Sequence, residues 1–539
     1  MKKTLVLLLA LLLAVTSLFT GCGKKEGGNG ERMTITVGYP NADETWKNDD
    51  YYKYIADKFN VDFEFQTLSS ATAAEKARLW ISSGDMPDIL QTGFSMNDYL
   101  TYTEQGMIGS LPKDWAEKYP NVGFAMEMSG LMNVIREKND GEVSVLIRAT
   151  DAYADHIDDF RAAYSEGKDL RAMMSENQYR AIDGYGFAYR KDWAEQLGIE
   201  TSPIMEYEDF LEMARKFKEA DLGKVGSKNT VGIAIDYTEA PNFFVTAFNS
   251  SYKYFHKDES GKYVCGLLED STAEGVKEYT EAYRTGILAR DFYTQKSDDL
   301  NSLFCSQRSG IIFPRASTYY LRILNSDFEK ANPGKKAEDC IDVCWVLSPD
   351  GKIHGREQTN YYGAYYFSPD ISDEKMAKIL EIANYVSSPE GGPQVRLGVP
   401  GVDYKEENGE YIVLRQPNEN GVLETLDKKY PSYEFFRYLL NPFYDQAVDS
   451  DPYAKECNDK LEAAKREYDM SLLDMDEYRS FYTADDYVKF NAAYEVNGLF
   501  AEVVVADGDP VENWKKKRAE IEKAAKSVTD NMNAALLKK

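Results

Sequence analysis

The amino-acid sequence predicts an α/β protein with a largely parallel sheet, in a chain long enough for two lobes. Three observations carry this. Period-two and helical hydrophobic patterns alternate through residues 33–90. At about 100 to 200 residues per domain, 539 residues exceed what one core organises. A hydrophobic content of 43% favours packing over disorder.

The first strand is expected at Met33–Val37, where Met33, Ile35 and Val37 share one face, and Gly38-Tyr39-Pro40-Asn41 breaks it. A helix follows over Asp49–Phe59, with Tyr51, Tyr54, Ile55 and Phe59 at helical spacing. Alternation resumes at Val61–Phe65, a second helix covers Ala73–Ser82, and Asp88-Ile89-Leu90 begins a third strand. Such an order implies right-handed crossovers and parallel pairing. Ligands of open sheets sit beyond the carboxyl ends of strands. Those ends supply two groups of candidate binding residues: Asn41, Asp43, Glu44 and Trp46 in one loop, Thr92, Phe94, Asn97 and Asp98 in the other. Each carboxylate here is also a candidate helix cap, Asp98 as readily a cap as a ligand.

The amino terminus reads as a targeting segment. Lys2 and Lys3 precede an apolar run from Leu5 to Phe19, which closes on Thr20-Gly21-Cys22. The run, interrupted by Thr16 and Ser17, falls short of the roughly 20 apolar residues that a membrane span needs. It is expected to be a lipoprotein signal peptide over residues 1–21, with Cys22 acylated, palmitate included, at the outer membrane face. Residues 22–32 are glycine-rich and charged, as a flexible tether would be.

A formal charge of −27 opposes nucleic-acid binding and broad docking on anionic lipid. Cys265, Cys305, Cys340, Cys344 and Cys457 are odd in number and scattered, so no disulfide framework is expected. Cys340 and Cys344 are close in sequence, but along a strand their sulfurs stand roughly 13 Å apart. Buried packing is therefore expected of them. Thirty-nine tyrosines suit sugar recognition, since each offers an apolar face and a polar edge, but they suit ordinary surfaces as well. The three histidines, His156, His256 and His354, show no HExxH spacing, and GxSxG and GxxxxGK[ST] motifs are absent. No internal repeat suggests a scaffold.

A family resemblance comes from several segments in order. Ser83-Gly84-Asp85-Met86-Pro87-Asp88-Ile89-Leu90 resembles the SGDxPDI signature of family 1 extracellular solute-binding proteins, the carbohydrate-capturing components of ABC importers. Tyr185–Trp193 with Leu197-Gly198-Ile199 resembles that family's first crossing between lobes, and Tyr207-Glu208-Asp209-Phe210 its next helix start. Glu374–Val386 with Ser388-Pro389-Glu390-Gly391 resembles a later helix and turn, and Leu397–Tyr404 the segment typical of the large Gram-positive lipoprotein branch.

The resemblance implies a two-lobed clamp of the type II periplasmic-binding-protein kind, its chain crossing between lobes about three times. Lobe one would comprise 33–186 and 346–435, lobe two 187–345 and 436–539. It further implies ligand loops at Glu239–Phe243 and Phe313–Tyr319, where Glu239, Asn242 and Arg315 would bond hydroxyls while Phe243 and Tyr319 stack on sugar rings. For Phe243 and Phe244 core packing is an equal expectation. Tyr361 and Tyr362, before Gly363, would be site or hinge residues. Some relatives carry an EF-hand-like calcium loop that would fall at Asp221–Asn229. Here Gly223 and Val225 stand where oxygen ligands belong, and Lys224 and Lys228 add positive charge, so no metal and no other cofactor is expected. The expected partners are an oligosaccharide and importer permease subunits, with membrane contact through the lipid, for a monomeric, non-enzymatic protein. A peptide-binding transport lipoprotein and a surface glycoside hydrolase are the alternatives.

Overall fold

The computed structural model describes residues 32–69, 72–93, 95–150, 153, 156–176, 178–179, 182–183, 186–357, 360–416, 424–440, 451–473 and 484–536. Cys22 and Phe94 lie outside them, and the Asn97 and Tyr362 side chains are likewise not described.

The first sheet runs in the order Val61–Leu68, Met33–Pro40, Ile89–Thr92, Tyr361–Phe367, Leu146–Ala149. Its first three strands pair in parallel, as the alternation of patterns predicts. Tyr361–Phe367 is antiparallel to both neighbours, so the sheet is mixed. Pattern reading along residues 33–90 could not reveal that strand, because it arrives from the far side of the second lobe.

Local chemistry fixes the elements between these strands. Asp49 accepts from Tyr52 N at 2.7 Å and caps the Asp50–Phe59 helix, which buries Tyr51, Tyr52, Ile55, Ala56 and Phe59 and ends at Asn60 in the left-handed region. The Ala73–Ser83 helix stops at Gly84, whose φ of 76° favours glycine. The SGDMPDIL segment then acts as a bolt. Asp88 accepts from Thr36 N at 2.7 Å, Thr36 Oγ1 at 2.8 Å and Lys375 Nζ at 2.7 Å, joining strand one, strand three and the Asp373–Val386 helix. A Cβ on Gly38 would stand 2.6 Å from Leu90 Cδ1 and 3.0 Å from Pro87 Cγ, so the glycine leaves room for these side chains to pack across the first strand.

The second sheet runs Ile311–Ile312, Phe187–Arg190, Ile341–Val346, Ile204–Met205. Ile341–Val346 is antiparallel to Phe187–Arg190 and parallel to Ile204–Met205. At the end of its inner strand Phe187–Arg190, Arg190 is fully buried, bonded to both Asp192 oxygens at 2.7 and 2.6 Å and lying over Trp193 and Phe328. A buried guanidinium is tolerated only with such pairing. A small third sheet, Met470–Leu473, Ile353–Glu357 and Ile182–Asp183, lies where the chain changes sides.

Apolar burial follows these sheets. One core gathers Ile35–Ile147 with Ala364–Leu440, and a small cluster from Phe124 to Met174 adjoins that stretch of chain. The other gathers Phe187–Ile353, Val346 and Leu347 included, with Ala454–Met532. The chain therefore passes between cores after Met174, after Ile353 and after Leu440. The Pro510–Leu536 helix closes the second core, where Trp514 is fully buried and stacks on Phe500 at 4.8 Å. Among the described residues no helix is long and apolar enough to cross a membrane. Cys265, Cys305, Cys340, Cys344 and Cys457 are free and buried. Burial pushes the Cys265 and Cys305 thiols up to about 12, which keeps them unreactive at neutral pH.

Candidate functional site

A cavity of about 210 Å³ opens at one end of the second sheet. Gly186 borders it, and glycine is needed there because a Cβ would meet Cys344 O at 2.5 Å. Gly186 O also accepts from Arg315 N and Ala316 N, which fixes the 313–319 loop beside the opening. Phe187, Phe313, Trp345 and Tyr320 give the lining its apolar surface.

The polar side is built by a capped turn. Asp236 accepts from Thr238 N at 2.9 Å and Glu239 N at 3.0 Å, and Pro241 opens the short Ala240–Phe244 helix. This turn holds Glu239 at the cavity, where its Oε2 accepts from Asn242 Nδ2 at 2.9 Å. Asn242 Oδ1 in turn accepts from Tyr252 OH at 3.1 Å and Lys253 Nζ at 3.2 Å. Carboxylate, amide, phenol and ammonium thus form one network along the cavity, rich in acceptors and donors for a polyhydroxyl ligand.

Of the residues singled out from sequence, Glu239, Asn242 and Phe243 line this cavity. Phe243 also belongs to the core, with ring contacts to Phe187 at 4.8 Å, Phe210 at 5.5 Å and Tyr207 at 5.7 Å. Arg315 is buried beside the cavity, its Nε donating to Asn301 Oδ1 at 2.9 Å and its Nη1 to Pro314 O at 2.6 Å. Tyr319 is exposed on the Thr318–Ala331 helix, while its neighbour Tyr320 reaches the lining.

The first-lobe candidates lie elsewhere. Asn41 is exposed at φ 56°, its N donating to Leu68 O at 2.7 Å. Asp43 caps the Glu44–Asn48 turn through Thr45 N at 2.7 Å, and these Thr45 bonds hold its carboxyl below the usual range. Glu44 pairs with Lys47 at 2.8 Å. Trp46 is buried between Tyr39 and Phe65, with ring centroids 5.9 and 5.1 Å away. Thr92 ends its strand half-buried, Asn97 lies in the Met96–Glu104 helix, and Asp98 pairs with Arg78 at 3.1 Å. Tyr361 and Tyr362 begin the Tyr361–Phe367 strand, with Tyr361 half-buried opposite Ala149. Sequence reasoning missed Lys253, Tyr254, Tyr320, Trp345, Ser348 and His354, all of which line the cavity. For Trp345 the available signal was a large amphipathic aromatic at the last turn of a strand pattern.

Among the described residues, no group of three or more His, Cys, Asp or Glu side chains could hold a metal ion. In the 221–229 loop, the Asp221 carboxylate accepts from Val225 N at 3.0 Å, Gly226 N at 2.9 Å and Thr230 Oγ1 at 3.0 Å. Backbone and hydroxyl donors thus close the loop on the Asp221 carboxylate.

The sequence model of a family described as bacterial extracellular solute-binding protein matches residues 51–391. The chain belongs to that family. Solved structures share its fold over almost the whole length. An S. pneumoniae ABC-transporter substrate-binding protein in complex with kestose aligns with a TM-score of 0.62 at 16% identity, covering 94% of this chain and 100% of that one. An alginate-binding protein solved without calcium gives 0.59 at 16% identity, over 94% and 98%. An extracellular solute-binding protein from Bifidobacterium longum subsp. infantis gives 0.59 at 16%, over 93% and 95%. No curated protein matches significantly. At such identities the likeness establishes the two-lobed solute-binding fold, and the ligand has to be argued from the site.

Proposed function

We propose that this protein captures a carbohydrate, an oligosaccharide by preference, outside the cell and delivers it unchanged to an ABC importer from a lipid anchor at Cys22. The observation that carries this reading is the second-lobe cavity, where a network through Glu239 and Asn242 faces Phe187, Phe313 and Trp345. Flat apolar rings beside dense donors and acceptors match a sugar, which has C–H faces and a hydroxyl edge. The kestose complex and the alginate-binding protein among the fold's neighbours support the same ligand class. With three passages of chain between two cores, a ligand touching both lobes favours the closed form by its differential affinity for it.

The test has two arms. A cognate oligosaccharide is expected to lower the radius of gyration in solution scattering and to be recovered chemically intact. Glu239→Gln is expected to weaken binding by about 1 to 3 kcal/mol, as for a hydrogen bond made by a charged acceptor. Cleaved sugar from the wild type, lost in Glu239→Gln, would overturn capture in favour of hydrolysis. Closure on peptides alone would overturn the carbohydrate assignment. Cys22→Ala is expected to release the protein from membranes in detergent-phase extraction, and retention of a processed chain would refute the anchor.

A further inference from the structure

Away from the segments that carry the chain from one core to the other, Arg466 Nη2 donates to His156 Nε2 at 3.3 Å. A guanidinium has donors only, so in this bond the ring nitrogen accepts. The two partners belong to different lobes. His156 precedes the Ile157–Ser165 helix, which buries Ile157 and Phe160 in the small cluster beside the first core. Arg466 follows the Pro452–Lys465 helix, which buries Ala454, Cys457 and Leu461 in the second core.

Each partner is held by its own lobe. His156 N donates to Tyr153 O at 3.0 Å, and its ring meets Tyr179 edge-on with centroids 5.1 Å apart. Tyr179 packs on Phe160, also at 5.1 Å, and its hydroxyl reaches Asp159 Oδ2 at 3.5 Å, so first-lobe groups aim the imidazole. On the other side Lys465, only 3% exposed, is bonded to Glu462 at 2.7 Å and lies over Trp345, 4.7 Å from the ring centroid. Trp345 lines the cavity, so the helix end that presents Arg466 also backs the cavity wall.

Every described residue that lines the cavity falls between Gly186 and Gly355, so in this arrangement the first lobe does not cover it. Bringing the first lobe over the cavity turns one core against the other. A bond already at 3.3 Å, between side chains rooted in separate cores, has little reach to spare before that rotation breaks it. An exposed pair of this kind adds little to the stability of a single lobe. Between two arrangements of the same lobes it counts in full, because a contact made in one state alone shifts the equilibrium by its whole factor.

We propose that Arg466 and His156 form an interlobe tie, made while the cavity is uncovered and broken on closure, which keeps the cavity open to incoming solute and sets part of the cost of closing. The tie acts on the motion and not on the ligand, so it holds for a sugar and for a peptide alike.

Calorimetry of the full mature chain against kestose, an alginate oligomer and a set of short peptides first selects the tightest binder. Arg466→Met keeps the stem without the donors, and His156→Phe keeps a ring against Tyr179 without the acceptor. Each is expected to raise affinity for that solute ~threefold, since closure no longer breaks a bond. The double variant should gain no more than either single one, because both changes remove the same bond. Unchanged or weakened affinity in the single variants, or gains that multiply in the double variant, overturn the tie. A second measurement locks it. In His156→Cys combined with Arg466→Cys a short bismaleimide links the lobes where the bond stands, while Cys265, Cys305, Cys340, Cys344 and Cys457 are buried and stay unlabelled. In solution scattering the linked chain is expected to lose the ligand-induced fall in radius of gyration that the unlinked chain shows. A linked chain that still contracts on binding overturns the proposal. Peptide binding with all of these effects would overturn the carbohydrate reading and leave the tie standing.

Discussion

In the loops and first turns beyond the first lobe's strands Asp43, Asp98 and Trp46 are already engaged, in a cap, an ion pair and an aromatic cluster, whereas in the second lobe Glu239, Asn242 and Trp345 border open space. Both sets have the composition of a sugar site. The difference lies in what surrounds them. In the first lobe the ring of Tyr39 stands 5.9 Å from Trp46 and 5.6 Å from Phe435, so residues near 435 complete the packing around the loop. In the second lobe the volume bordered by Glu239, Asn242, Phe313 and Trp345 is left unfilled. A polar or aromatic residue of this composition therefore borders a cavity only where tertiary packing leaves it room.

The two tryptophans give the sharpest way to break this contrast. Trp46→Ala is expected to destabilise the protein by about 3 to 5 kcal/mol, the cost of emptying a packed aromatic site. Trp345→Ala is expected to cost well under half of that and to act on ligand affinity instead. Denaturant titration and calorimetry on both variants check this, and a Trp46→Ala variant with normal stability and weakened binding would return the first lobe to the site.

A smaller effect is expected at His256 in the second lobe. Its Nε2 meets Glu269 Oε2 at 2.9 Å and its Nδ1 meets Lys257 O at 3.1 Å, while Asn249 Nδ2 donates to the same Glu269 oxygen at 2.8 Å. Burial works against the charge on His256, but the Glu269 bond and charge prevail and raise its pKa above the ordinary 6.5. Burial likewise opposes the charge on Glu269, but the His256 and Asn249 bonds prevail and hold its pKa below 4.5. The histidine's contribution is full below pH 6.5 and is lost as pH rises through its raised value. The carboxylate's is present above pH 4.5 and is lost as pH falls through its lowered value. The melting-temperature difference between wild type and His256→Asn should thus be largest between those two pH values and shrink on either side. A flat difference from pH 4 to pH 9 would refute the pairing.

The smallest expected effect concerns calcium. Because Asp221 is taken up by Val225 N, Gly226 N and Thr230, adding calcium after EDTA treatment should leave the melting temperature unchanged. A calcium-dependent rise would mean that the loop rearranges to bind, and would give the second lobe a further ligand site.

The first sheet's opening strands were legible because period-two alternation and turn residues such as Gly84 and Asn60 act within a few positions of each other. Glu239, Asn242 and Phe243 were legible from the family likeness of their segment, and all three reach the cavity. Lys253 and His354 were not, since nothing in the residues around either marks its place on the cavity, and Trp345 offered only an amphipathic aromatic near the end of a strand pattern. Lys465 against Trp345 and the Arg466 Nη2 contact to His156 Nε2 at 3.3 Å join residues more than a hundred positions apart, beyond the reach of periodicity.

What the sequence by itself determined is the local order: where helices cap and stop, which strands alternate, and the signature whose Asp88 bolts two strands and a helix together. Those outcomes depend on neighbouring residues, and the chain carries that information directly. Only the tertiary structure decided that Tyr361–Phe367 enters the first sheet antiparallel, that Trp46 is packed away while Trp345 borders a cavity, and that the Asp221 loop closes on itself. Each of these depends on which distant surface fills, or fails to fill, the space beside a residue, and close packing settles that only when the whole chain is in place.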